Sequence, residues 1–120
     1  MTQQIPMEAD HVIGVKVSGK IERWDMDAMI EVMKKMFAEH ERISIYVEVE
    51  SFGWISLPAL VDDLKFALPN FKKFARKAVV SRIKWMEKWT DVADHFFPSI
   101  EVKHFLPEQK AAALKWIQEY

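Results

Sequence analysis

Residues 43–68 read ISIYVEVESFGWISLPALVDDLKFAL, and the change of period inside this stretch decides the fold. Ile43 to Val49 is an apolar, largely β-branched run of strand length. Leu57, Leu60, Val61, Leu64 and Leu68 then recur at i, i+3, i+4, i+7 and i+11, which is one stripe of a helix. Ser56 is placed to cap that helix, and Pro58 is tolerated in its first turn because the amide it lacks would be unsatisfied there anyway. A strand that hands over to a helix through a short turn is half of a βαβ unit.

The same alternation continues on both sides. Upstream, Val12 to Val17 reads as a strand, with a short partner near Ile5 to Glu8 reached through the Ala9-Asp10-His11 turn. Met26, Met29, Ile30, Met33 and Phe37 form the stripe of a first helix that Asp25 can cap. Downstream, Pro69 should end or kink the second helix near Leu68, leaving Asn70 to Lys77 as a basic, Phe-bearing connector. Strands follow at Ala78 to Ile83 and Ile100 to Leu106. Trp85, Trp89, Val92, Ala93 and Phe96 mark a third helix stopped by Pro98, and Ala113, Trp116, Ile117 and Tyr120 a fourth, opened by Pro107 and Glu108. The order predicts an α/β fold: one layered domain over residues 1–120, with a central, mostly parallel sheet of four to five strands and four helices.

Charge is distributed unevenly. The net charge is −1 over 120 residues, yet residues 1–61 carry −4, residues 62–88 carry +5 and residues 89–120 carry −2. The basic block holds Lys65, Lys72, Lys73, Arg76, Lys77, Arg82, Lys84 and Lys88, and nine of the 15 aromatic residues lie between Phe52 and Phe97. Basic charge interleaved with aromatic rings suits anionic membrane surfaces and single-stranded nucleic acid alike. The near-zero net charge and the lack of a recognition motif argue against nucleic acid. With no cysteine there is no disulfide framework, thiolate metal site or cysteine nucleophile. No apolar run approaches the roughly 18 residues a spanning helix needs, so the expectation is a cytoplasmic protein, able at most to sit peripherally on the inner face of the membrane.

A search for catalysis finds little. His11, His40, His95 and His104 are not at metal-ligand spacing, and no HExxH, GxSxG, Walker or GxGxxG pattern occurs. Gly14, Gly19 and Gly53 are too scattered for a phosphate-cradling loop; Asp62-Asp63 and Asp91 with Asp94 could in principle make an acid pair, but adjacent and i+3 carboxylates on solvated helix faces usually only solubilise. The chain reads as a non-enzyme with no cofactor and no metal. Ser51 and Ser56 flank the turn after the second long strand, where open α/β sheets place functional groups.

The wording of the sequence resembles the SpoIIAA-like family of small bacterial proteins, whose fold is that of STAS domains. The resemblance rests on Val17-Ser18-Gly19-Lys20-Ile21, on Tyr46-Val47-Glu48-Val49 leading through Phe52-Gly53-Trp54 into Leu60-Val61-Asp62-Asp63-Leu64-Lys65-Phe66, and on Phe97-Pro98, Val102-Lys103-His104-Phe105, Ala112 and Trp116-Ile117. It covers almost the whole chain and implies a largely parallel sheet with helices able to move over it. The same fold class includes CRAL-TRIO domains, which carry lipids. STAS antagonists use a phosphorylatable serine in Asp-Ser-Ser/Thr-Gly at the helix start. Here that turn reads Trp54-Ile55-Ser56-Leu57-Pro58, without the acid before or the glycine after.

Three functional readings follow, the weakest being an interfacially activated enzyme acting on a lipid, for which no nucleophile–base pair is visible. In the first, the surplus of large rings is explained by an apolar ligand or lipid held between the sheet and the second and third helices. The pocket would be lined by Leu57, Leu60, Val61, Leu64, Trp85, Trp89 and Phe96. Phe66, Phe71 and Phe74 would touch the membrane while Lys65, Lys72, Lys73, Arg76 and Lys77 meet anionic headgroups, with Pro69 and the loop after it as the hinge. Met26, Met29, Met33 and Met36 are either an adaptable apolar surface or gap-filling core residues. In the second reading the chain is a STAS-type regulatory module that binds a kinase-like protein partner and is switched at Ser56 or Ser51. A homodimer would also hide exposed apolar surface.

Overall fold

The computed structural model describes residues 1–51, 54–55, 62–63, 65–66, 69–83 and 100–119. Seven strands occur among them: β1 (Thr2–Ile5), β2 (Val12–Val17), β3 (Lys20–Ile21), β4 (Ile43–Val49), β5 (Trp54–Ile55), β6 (Phe74–Val80) and β7 (Glu101–Phe105). Five form one sheet in the order β1-β2-β4-β6-β7, and β3 pairs with β5 in a separate two-stranded ribbon. Only the β1–β2 pair is antiparallel. Two helices have both ends among the described residues, α1 (Arg23–Glu39) and α2 (Lys110–Gln118), against the four expected. Asp62, Asp63, Lys65, Phe66, Pro69 and Asn70 are also helical, in the region of the expected second helix. The expected third helix lies outside the described residues.

β2 explains the layering. Its residues are buried on both sides of the sheet, with only Lys16 partly open, so each face needs an apolar cover. On one face Ile13, Val15 and Val17 meet Met29 of α1, with Val32, Met33, Met36, Ile45 and Val47 around them. On the other, Val12, Tyr46, Ala78 and Val80 meet Ala113 and Ile117 of α2. Met29 is therefore a core residue, and Met33 and Met36 are partly buried against the same cluster. Burying each such side chain stabilises the fold by about 1.5–3 kcal/mol.

Several boundaries differ from expectation for identifiable reasons. β1 is Thr2–Ile5 rather than Ile5 to Glu8, because Pro6 cannot donate to the ladder and the chain then turns, Val12 N donating to Ala9 O at 3.2 Å. The N-cap of α1 is Glu22, not Asp25; Asp25 stands three residues inside, its carboxylate accepting from Glu22 N at 2.9 Å. Pro69 and Asn70 are still helical, and Asn70 Nδ2 donates to Phe66 O at 2.8 Å. The second half of the supposed connector from Asn70 to Lys77 is strand, since β6 begins at Phe74 and ends at Val80, and the first half is helical. An irregularity between Ile43 and Ile45 fits one extra residue into β6, and there the buried Ser44 hydroxyl accepts from Arg76 N at 3.3 Å.

Gly14 pairs with Ile5 of β1, and a Cβ at this position would stand 2.7 Å from both Ile5 O and Met7 Sδ. The carbonyl belongs to the paired strand and cannot swing away. Gly14→Ala should therefore cost about 1–3 kcal/mol by overpacking, measured by urea unfolding.

At the amino end of the sheet His11 Nε2 is buried without a hydrogen-bond partner. Burial first, then the neighbouring His40, lowers its pKa, while Asp10 pulls the other way. The folded state thus favours neutral His11 while the unfolded chain takes up a proton near pH 6.5, roughly the free-histidine value. Stability should be fully present above that pH and fall as the pH drops through it toward the folded-state value. The loss of melting temperature on acidification through this window should shrink in His11→Gln.

Candidate functional site

The carboxyl ends of the parallel strands bring together the turns most able to carry function. β2 runs out at Val17 into Ser18 and Gly19, and Gly19 has φ of +66°, the left-handed region that glycine enters without strain. Its N–H donates to Ser51 Oγ at 3.0 Å, and Glu50 N donates to Val17 O at 2.9 Å. Ser51 is exposed, and nothing lies within 4 Å of where a Cβ of Gly19 would be. The ribbon of β3 and β5 extends this rim, Lys20 pairing with Trp54 and Ile21 with Ile55.

Behind the rim lies Asp25, only 2% exposed. It accepts from Thr2 N at 3.1 Å, Thr2 Oγ1 at 3.4 Å and Glu22 N at 2.9 Å. The amino-terminal ammonium stands 3.7 Å from Asp25 Oδ2 and donates to Ser18 O at 2.7 Å and to Lys20 O. One carboxylate thus joins β1, the β2–β3 turn and the start of α1.

On the outer side of α1, Arg23 Nε donates to Asp62 Oδ2 at 2.9 Å and its Nη2 to Asp62 Oδ1 at 3.4 Å. This bond holds the Asp62 carboxyl below its usual pKa, with Asp27 adding to the effect. Asp27, one turn along α1, is pushed the other way, chiefly by its hydrogen bond with Asp62. Burial raises Asp63, opposed by Lys77. Tyr46, wholly buried under α2, donates to Glu48 Oε1 at 2.8 Å, and burial raises its phenol. Lys110 Nζ lies 2.8 Å from the same Glu48 oxygen. Burial acts to raise Glu48, but the Lys110 and Tyr46 bonds prevail and its pKa is lowered.

The residues expected at a membrane surface are divided by the fold. Phe74 is 6% exposed on β6, and its ring meets Phe37 of α1 at 5.4 Å and Phe66 at 6.4 Å; Phe66 also lies 6.1 Å from Phe37. Phe74 is therefore a core contact, and Phe66 packs against its own chain. Arg76 points to the α2 face, where it donates to Glu101 at 3.2 Å and to Trp116 O at 2.8 Å, its guanidinium 4.7 Å from the Trp116 ring centre. Lys77, next in a strand and so on the opposite face, is half-buried. Lys65, Lys72 and Lys73 are exposed. The Phe71 side chain, the expected pocket residues Leu57, Leu60, Val61, Leu64, Trp85, Trp89 and Phe96, and Ser56 lie outside the described residues.

No group of three histidines or carboxylates that could hold a metal ion occurs among the described residues, and Ser51 Oγ is bonded to a backbone amide rather than to a base. No described helix is long and apolar enough to cross a membrane. Sequence reasoning missed Trp24, which is 68% exposed at the start of α1. The signal was present: at 100° per residue Trp24 falls roughly opposite the Met stripe, the same test that singled out Phe66.

Replacing Asp25 by Ala should orphan three buried or half-buried donors at once. The expected loss is about 2–4 kcal/mol of stability by chemical unfolding, and Asp25→Asn should recover only part of it.

Comparison with known proteins agrees with this geometry. No curated protein matches. An uncharacterized protein with a SpoIIAA-like fold from Shewanella loihica PV-4 is similar in structure, with a TM-score of 0.77 and 29% identity over 98% of this chain and 92% of that one. The SpoIIAA-like family model matches residues 12–118, from the first residue of β2 to the last of α2. The chain belongs to the SpoIIAA-like family.

Proposed function

We propose that the chain is a non-enzymatic regulatory module that binds a protein partner through the carboxyl rim of its sheet and is switched at a serine of the strand-to-helix turn. The observation that carries this reading is Ser51. Ser51 is exposed, and among the described residues its hydroxyl accepts from the Gly19 N–H at 3.0 Å. Lys16 and Lys20 lie on the strands flanking Gly19, paired with Glu50 at 3.5 Å and Glu22 at 3.4 Å. A phosphoryl group on Ser51 would replace a neutral acceptor by about two negative charges and draw on these lysines, changing the charge of the rim without touching the core. Family membership supports an interaction role, and Ser56 is the second serine to test.

The experiment is affinity capture of a partner from cells that make the protein, followed by titration with the purified partner. Ser51→Asp or Ser56→Asp should weaken binding by roughly tenfold or more. The melting temperature should stay within a few degrees of the parent. Unchanged affinity in both variants would reject the switch.

A second reading, lipid carriage with peripheral membrane attachment, is favoured by the exposure of Lys65, Lys72 and Lys73 near the Phe37–Phe66–Phe74 rings, Lys73 Nζ lying 5.4 Å from the Phe37 ring centre. Magnitude weakens it. Basic residues at an anionic surface contribute about 1 kcal/mol each, so three give about 3 kcal/mol where five would have given about 5. On this reading co-sedimentation with anionic vesicles should be weak and salt-sensitive and fall further in Lys72→Gln/Lys73→Gln; no binding at low salt removes the reading.

A further inference from the structure

On the outer face of the first two turns of α1, Arg23 and Asp27 meet Asp62, while Trp24 belongs to neither of the two buried clusters among the described residues. Trp24 is the largest exposed apolar side chain among the described residues. Asp27, Ala28 and Glu31, three, four and seven residues on, share its face and are exposed. Helical side chains lean toward the amino terminus, so Asp27 leans toward the indole while Ala28 is too small to cover it. Arg23 is bonded to Asp62 and acts on Asp27 only at longer range, Lys20 pairs with Glu22 at 3.4 Å and Lys34 with Glu31 at 3.5 Å, and Lys65 acts on Asp62. Asp27 has no ion-pair partner among the described residues and meets Asp62 instead, an arrangement that raises its affinity for a proton.

We infer that Trp24 and Asp27 form a docking point for an arginine-bearing segment of a protein partner. A guanidinium is flat, delocalised and weakly hydrated, so it stacks on the indole and donates two hydrogen bonds to a carboxylate at once. An ammonium cannot do both in one geometry. An apolar segment would give the Asp27 carboxylate no cation of its own, since Arg23 is bonded to Asp62, and an anionic membrane would be repelled by Asp27. The inference rests on the interaction reading above and names the chemistry of the partner.

The test is a titration of the full, 15N-labelled chain with acetyl-tetra-arginine amide, following the Trp24 indole N–H, which is assigned by its absence in Trp24→Phe. A saturable shift is expected with the arginine peptide, roughly fivefold weaker binding with tetra-lysine, and no shift with tetra-glutamate. Asp27→Asn should weaken the arginine response by a similar factor while the rest of the spectrum stays in place. No response to arginine, equal affinity for lysine and arginine, or an unchanged Asp27→Asn variant overturns the inference, as does a Trp24 response to anionic vesicles but not to the peptide. Capture of a partner that depends on Ser51 but survives Trp24→Ala would sink the docking point and leave the interaction reading standing. A specific arginine response in a chain that captures nothing would do the reverse.

Discussion

The two-sided burial of β2 is the constraint on which the rest of the structure depends. A strand whose side chains are covered above and below cannot be satisfied by helices on one face alone, so the sheet must recruit α1 to one side and α2 to the other. The chain meets this demand by returning from β7 across the sheet. α2 is secured at three places along its length: Lys110 to Glu48, Trp116 O to Arg76, and Gln118 Oε1 to the amides of Glu8 and Ala9 at 3.0 and 3.2 Å. The last of these joins the end of the chain to the turn that enters β2. Cover for the core and closure of the amino-terminal segment are thus one arrangement.

The same arrangement sets the character of the rim. Segments that reverse direction at the carboxyl ends of the strands have no apolar face to bury, so they are held by polar contacts instead. Asp25 is the centre of these contacts and reaches the backbone of β1, the cap of α1 and the amino-terminal ammonium. A buried carboxylate costs little when several donors converge on it, and much when they are removed. The result is a firmly supported base under an exposed serine and an exposed tryptophan, the combination in which loops commonly carry recognition.

The aromatic surplus in the middle of the chain has a structural explanation for at least part of its members. Phe37, Phe66 and Phe74 pack as tilted and edge-on rings between α1, β6 and the helical residues before it. Arg76 and Lys77 are separated by the alternation of a strand, so a basic block that is continuous in sequence is divided between two faces of the sheet. Among the described cations outside β6, Lys65, Lys72 and Lys73 are exposed, and Arg82 is exposed and bonded to Glu108. Charge density read along the chain overstates charge density in space wherever the charged run turns out to be extended.

Local pattern determined a good deal of this protein. The alternation of strand and helix, the full extents of β2 and β4, the Met stripe of α1 and the family likeness were all legible in the order of residues, because side-chain spacing records which face must leave water. The start of β6 was not: Phe74-Ala75-Arg76-Lys77 looks like a polar connector until Glu101 and Trp116, far along the chain, give Arg76 partners. Nor could Asp25 be told from an ordinary cap, since its donor Thr2 comes from another strand. Ser51 was visible as a residue of the right turn, but the Gly19 amide that holds it belongs to the folded chain. Spacing is a one-dimensional property, whereas pairing between groups more than 20 residues apart exists only once the sheet has brought them together.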